Sequence, residues 1–126
     1  METRIVKQHF VLQKLRQVCL ALPGTNEVRT FGHPTFRAGK KTFAVFEEYK
    51  GQLCIAFKVT ASHQSLFLKD PRFFRTPYIG RHGWVSLKAD APLDWNEVQG
   101  LIRDSYHAQT ARINQRRSQP RNPPRP

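Results

Sequence analysis

The sequence predicts an α+β domain, an antiparallel β-sheet meander packed against N- and C-terminal helices. Three observations carry this. Apolar residues near the N-terminus recur at helical spacing, the middle of the chain alternates apolar and polar residues between glycine turns, and a capped amphipathic segment follows the last strand. The 126 residues suit one domain, placed at 1–113, followed by an arginine- and proline-rich tail at 114–126.

The first element is a helix over residues 5–22. Val11, Leu15, Val18 and Leu22 make one stripe, flanked by Leu12 and Cys19, and Pro23-Gly24 ends it. Strands follow at 27–31, 35–38, 42–47 and 52–59, separated by Gly32-His33-Pro34, Gly39-Lys40 and Tyr49-Lys50-Gly51. Short glycine-containing connections of this kind mark hairpins. In the last of these strands Leu53, Ile55, Phe57 and Val59 share one face, and Cys54, Ala56 and Lys58 the other. A short helix over 62–69 is expected to be capped by Ser62 and halted at Asp70-Pro71. Residues 72–79 are aromatic and extended but interrupted by Pro77; Gly80–Gly83 is a loop and Trp84–Lys88 a strand. The final helix has Asp94 as cap, Glu97 to complete a capping box, and Leu93 to staple onto Val98. Its buried stripe is Trp95, Val98, Ile102 and Tyr106 or Ser105, and it should run to about Ile113. Beyond that, prolines and arginines without large apolar side chains predict a disordered basic tail.

Charge narrows the function classes. Twenty-one Lys+Arg against nine Asp+Glu give a formal net charge of +12. Five of the basic residues lie at or beyond Arg112, and the remaining 16 still outnumber the acids. Such a field attracts polyanions, of which nucleic acid is the commonest in a cytoplasm. Cys19 and Cys54 sit among apolar residues with no Cys-x-x-Cys pair, so both read as reduced, buried thiols. No apolar run approaches the roughly 20 residues of a membrane span. A cytoplasmic monomer without membrane contact is the expectation.

Catalytic and metal-binding patterns are absent. The five histidines follow no ligand spacing, and although His33 and His82 flank strands, histidines in glycine turns ordinarily satisfy backbone groups. There is no nucleophile elbow and no phosphate-cradling glycine loop. Glu47 and Glu48 are adjacent on a strand and point to opposite faces, so they cannot act together on one substrate. The expectation is no enzyme, no metal and no cofactor. What remains is a basic-aromatic pattern. Arg37, Lys40 and Lys41 surround one hairpin turn and Lys50 sits at the next, while Arg75 and Arg81 belong to a run that also holds Phe73, Phe74, Tyr78 and Trp84. Cations at hairpin tips suit phosphate contact and groove probing. Phe73, Phe74 and Trp84 read as core.

Several segments together resemble the MmcQ/YjbR-like family. They are Leu22-Pro23-Gly24-Thr25 with Glu27, the run from Phe31 to Arg37, Phe43-Ala44, Gly83-Trp84-Val85, and the Asp-capped helix with Ser105-Tyr106. The resemblance extends over residues 5–112 and rests on order and spacing rather than on any single motif. It implies a CyaY-like fold in a double-wing arrangement and a DNA-binding role, with no catalytic residues to carry over. The basic tail departs from the family's compact pattern. Iron binding of the frataxin kind would need an acidic ridge, and this chain is basic.

Three readings follow. The first is a non-enzymatic DNA-binding module that contacts duplex through Arg37, Lys40, Lys41, Lys50, Arg75 and Arg81, with DNA ranked ahead of RNA. The second is a protein- or small-ligand-binding domain with incidental charge, which predicts an apolar concavity near Trp84, Tyr78 and His33. The third is an RNA-associated role carried by the tail. One positive surface would favour the first, and scattered cations the second.

Overall fold

In the computed structural model, the backbone is described for residues 2–118 and the side chains for residues 3–111. Helix α1 spans Glu2–Leu20, longer at its start than the apolar stripe alone implies. It ends where the Thr25 hydroxyl donates to the carbonyls of Cys19, at 3.0 Å, and Leu22, at 2.8 Å. Leu22 therefore lies just past the helix and packs on the core from there.

Six strands follow: β1 Thr25–Thr30, β2 His33–Ala38, β3 Lys41–Tyr49, β4 Gln52–Lys58, β5 Phe73–Arg75 and β6 Trp84–Lys88. They form one antiparallel sheet in the order β1-β2-β3-β4-β6-β5. The first four make the meander the glycine turns predict. The extended segment after Pro71 becomes β5, a three-residue edge strand on the far side of β6. The turns at Phe31-Gly32 and Lys50-Gly51 have positive φ at both residues, 52° and 83° in the first and 52° and 79° in the second. That geometry matches the right-handed twist of the strands it joins.

Helix α2, Ala61–Phe67, is capped by Thr60 rather than Ser62: the Thr60 hydroxyl accepts the His63 N–H at 3.3 Å. Helix α3, Trp95–Ser118, runs five residues past Ile113 and carries its backbone through the first part of the expected tail; residues 119–126 lie outside the described residues. Asp94 caps it by accepting from the N–H groups of Asn96 at 3.0 Å and Glu97 at 3.4 Å. The capping box stays half-made, because Glu97 turns its carboxylate to Arg72 at 2.8 and 3.0 Å.

α1 and α3 lie on one face of the sheet. Phe36, Phe43, Ile55, Phe57, Val85 and Leu87 project from the strands into a core with Leu15, Val98 and Ile102. Ser105 holds α3 to the sheet from inside that core: its hydroxyl donates to the Phe43 carbonyl at 2.7 Å and accepts the Lys58 N–H at 2.9 Å. Tyr106, only half-buried, reaches across to donate to the Pro23 carbonyl at 2.7 Å. The stripe of α3 thus passes through Ser105, the smaller of the two residues considered. Among the described residues, no α-helix lies on the other face of the sheet. Register sets Thr35, Val45, Ala56 and Ser86 side by side on it.

Candidate nucleic-acid interface

Strand register locates each cation. The β2–β3 turn at Gly39-Lys40 and the β3–β4 turn at Lys50-Gly51 lie at opposite ends of β3. Nine residues at roughly 3.3 Å each put about 26 Å between Lys41 and Tyr49. Lys50 is therefore separated from the other candidates and sits instead over the Tyr49 ring, 5.4 Å from its centroid.

The other five share the β2–β3 end. Arg37, Lys40 and Lys41 surround that turn. Lys58 ends β4 opposite Trp84, and Arg75 ends β5 opposite Val85, so the loop carrying Arg81 and His82 emerges at the same end. Three strand spacings of about 4.8 Å separate β3 from β5, putting Lys41 about 14 Å from Arg75, with Arg37 one strand further out on β2. Local contacts fix several of them. Arg37 Nη2 donates to the Lys40 carbonyl at 2.9 Å and braces the turn, while its Nε is buried without a hydrogen-bond partner. The stem of Arg75 lies directly on buried Gly80, where an added Cβ would stand 2.4 Å from Arg75 Cγ. Arg81 Nε donates to His82 Nε2 at 3.3 Å, and Lys58 Nζ donates to the His82 carbonyl. Among the described residues, Arg37, Lys40, Lys41, Arg75 and Arg81 make no ion pair.

The opposite end holds most of the acids. Glu48 and Asp90 take Arg4, at 3.4 and 2.9 Å. Asp70 and Glu97 both take Arg72, each at 2.8 Å. That grip lowers the carboxyl of Asp70 below its usual range and raises the guanidinium of Arg72. Asp90 also accepts the Leu53 N–H at 3.0 Å, tying the loop after β6 to the start of β4. Glu27 lies apart and is gripped by Arg16 at 2.7 Å. Arg72, part of the basic-aromatic run, is thus engaged by two carboxylates on the surface of the fold.

α3 runs from the acidic end toward the basic one. Gln109 donates to the Thr42 carbonyl at 2.6 Å, and the helix backbone continues nine residues further to Ser118. At about 1.5 Å per residue it carries sequence positions Arg112, Arg116 and Arg117 past the end of the sheet.

The helix-free face is a second feature. It forms a trough of about 670 Å³ whose lining includes His33, Trp84 and Tyr78, the three residues expected to mark an apolar concavity, together with Phe31, Tyr49 and Glu47. Phe31 and Tyr78 are left-handed, at φ 52° and 68°, and 95% and 96% exposed. His33 and His82 stay apart at opposite ends of the sheet; His33 Nε2 lies 4.0 Å from Glu47. Glu47 faces the trough and Glu48 faces Arg4 on α1, as strand alternation requires. Burial pushes the Glu47 carboxyl above the usual range, and His33 offsets part of that rise. Phe73 and Trp84 are buried; Phe74 is only half-buried, stacked on Tyr49 at 6.1 Å.

Burial also silences the thiols. Cys54 is pushed up to about 12 and Cys19 higher still, so neither is a thiolate at neutral pH. Among the described residues no three His, Cys, Asp or Glu side chains are grouped to hold a metal ion, and no helix is long and apolar enough to cross a membrane.

The sequence singled out the cations of this interface but not their grouping, which follows from strand order. It missed Lys58, Phe31 and Glu47. Phe31 had a legible signal, a large aromatic preceding glycine in a two-residue turn.

Comparison with known proteins agrees with the architecture. A family model described as YjbR matches residues 20–108. A Deinococcus radiodurans protein with a DUF419 domain superposes with a TM-score of 0.65 at 18% identity, covering 82% of this chain and 87% of its own. A Pseudomonas syringae protein gives 0.68 at 17% identity, covering 77% and 97%. A Bacillus subtilis protein of the DUF1801 family gives 0.56 at 16%, covering 82% and 79%. At these identities the likeness concerns the fold alone. No curated protein matches the chain.

Proposed function

The chain belongs to the YjbR family, and on that premise we propose that it is a non-enzymatic nucleic-acid-binding protein whose contact surface is the β2–β3 end of the sheet. One observation carries the reading: five cations that make no ion pair among the described residues gather at that end, while Glu48, Asp70, Asp90 and Glu97 are paired off at the other. An unpaired guanidinium or ammonium exchanges condensed counterions for phosphate, which drives association. A paired one must first give up its carboxylate. The span of about 14 Å from Lys41 to Arg75 compares with the roughly 12 Å width of a B-form major groove, so these two cations suit phosphates on opposite strands. Duplex DNA is the favoured ligand on this geometry. Lys50 lies outside the contact surface.

The test is binding of labelled duplex DNA and duplex RNA across a salt titration. Five phosphate contacts give a slope of log K against log salt of about −4.5 on B-DNA. Binding that does not respond to salt, or none at low salt, would falsify the proposal.

A further inference from the structure

The trough on the helix-free face has an electrostatic character opposite to that of the molecule. In a chain of net charge +12, no lysine or arginine among the described residues lines it. Glu47 and Glu48 both line it, but the Glu48 carboxylate turns to Arg4, leaving that of Glu47, half-buried on β3; its walls are the rings of Phe31, Tyr49, Tyr78 and Trp84. Two of those rings are held at a cost. Phe31 and Tyr78 sit in the left-handed region, where a non-glycine residue is strained on the order of 1–3 kcal/mol. They also stand almost fully in solvent, so burial does not offset that strain. A strained, exposed aromatic on either side of an acid-bearing cleft is an arrangement that a cation completes. Ring faces attract cations through their quadrupole, and a carboxylate withdrawn from water attracts them further. Lys50 already illustrates this by lying over the ring of Tyr49, one of those walls.

We propose that the trough is a binding site for a small organic cation, an alkylammonium or quaternary ammonium group on an apolar body, with Glu47 as counter-ion and Phe31, Tyr78 and Trp84 as aromatic walls. The volume of about 670 Å³ falls within the range of small-molecule sites. Glu48 takes no part, because its carboxylate is directed to Arg4 on the other side of the sheet. The site is independent of the basic end: the proposed phosphate contacts are absent from its lining.

The experiment titrates the full chain with choline and, in parallel, with 3,3-dimethyl-1-butanol, its uncharged counterpart of matched shape. Two-dimensional NMR follows the Trp84 indole N–H and the amides of residues 30–33 and 76–79. Choline is expected to shift these signals saturably and to bind about tenfold more tightly than the alcohol, the scale of a partly desolvated cation–π contact. Glu47→Gln, which keeps the side-chain shape, should lose about that factor, and Tyr78→Ser, at an exposed position, should lose several-fold. Lys41→Glu should leave choline binding unchanged while weakening DNA binding, so the two proposals fail separately. Equal binding of the alcohol, an unchanged Glu47→Gln variant, or no saturable shift at tens of millimolar choline would overturn the assignment. So would a trough already filled by the chain's own arginine-rich terminus, detected as the same shifts appearing on truncation after Ser118 without any choline.

Discussion

The two ends of the sheet use the same residue types for different ends. At the β3–β4 end, Arg4 and Arg72 are each shared by two carboxylates, and Asp90 fastens the loop after β6 to β4. These charges hold the fold's edges in place. At the β2–β3 end Arg37, Lys40, Lys41, Arg75 and Arg81 make no ion pair among the described residues, and two of them are propped instead, Arg37 by the Lys40 carbonyl and Arg75 by packing on Gly80. A net charge cannot separate these roles. What separates Arg4 and Arg72 from these five is that the fold brings acids within their reach; Lys50 and Lys88, at the β3–β4 end, make no ion pair among the described residues either.

The largest effect expected from this contrast is on binding. Reversing Lys40, Lys41 and Arg81 to Glu removes three candidate phosphate contacts. The salt slope should fall by about 2.7, and affinity near 0.1 M salt should fall on the order of several hundredfold. Anisotropy titrations of labelled duplex check both numbers. Thermal melts should change little, because none of the three makes an ion pair among the described residues.

The next largest effect concerns the joint between helix and sheet near the basic end. Ser105→Ala strands two buried backbone groups, the Phe43 carbonyl and the Lys58 N–H. Leaving buried groups unpaired costs about 1–3 kcal/mol, which urea or thermal denaturation reads directly. Glycine at the same end is less negotiable still: Gly83 has φ 91°, and a Cβ there would stand 2.4 Å from the Val59 carbonyl.

How much of this was legible depends on range. The hairpins were, because turn chemistry is local: Gly39, Gly51 and the alternation of Leu53, Ile55 and Phe57 specify strands without reference to anything distant. The family resemblance and the α+β class followed from such local signals taken in order. The extra length of α3 and the cap at Thr60 were missed because composition and cap preference are averages over many contexts. The site was legible only in part. Arg37, Lys40 and Lys41 are neighbours in sequence, but Lys50 looked equivalent, and only the two-ended geometry of a meander separates it from them. The trough could be anticipated around His33, Tyr78 and Trp84, yet Glu47 on its wall depends on register between strands that no local pattern encodes.

The acids at the other end and in the trough respond oppositely to pH. Asp70 is held below its usual range by Arg72, so its stabilisation is present at neutral pH and lost as pH falls through its folded pKa. Arg72→Ala should lower Tm at pH 7, and the gap to the parent should close in acid. Glu47 is held above its usual range by burial. Between the unfolded and folded pKa values the native state binds more protons, so stability falls as pH rises through that interval and stays lowered at neutrality. Glu47→Gln should therefore raise Tm modestly at pH 7 and match the parent below about pH 4. A residue whose removal stabilises the fold is one the fold does not need, which sharpens the case for a ligand. A lower Tm for Glu47→Gln at neutral pH would make it structural instead.

The smallest expected effect is the most discriminating. Lys50→Glu changes the net charge by the same two units as Lys41→Glu, at a hairpin tip of the same kind. If attraction to a polyanion depended on overall charge, the two reversals would weaken DNA binding alike. The ends of β3 are about 26 Å apart, however, and the Debye length at physiological salt is about 8 Å. Screening over three Debye lengths leaves little of the interaction, so Lys50→Glu should alter duplex affinity by less than about twofold while Lys41→Glu costs nearly tenfold. Parallel titrations of the two variants at one salt concentration decide it: equal losses would mean that the basic end has no special standing.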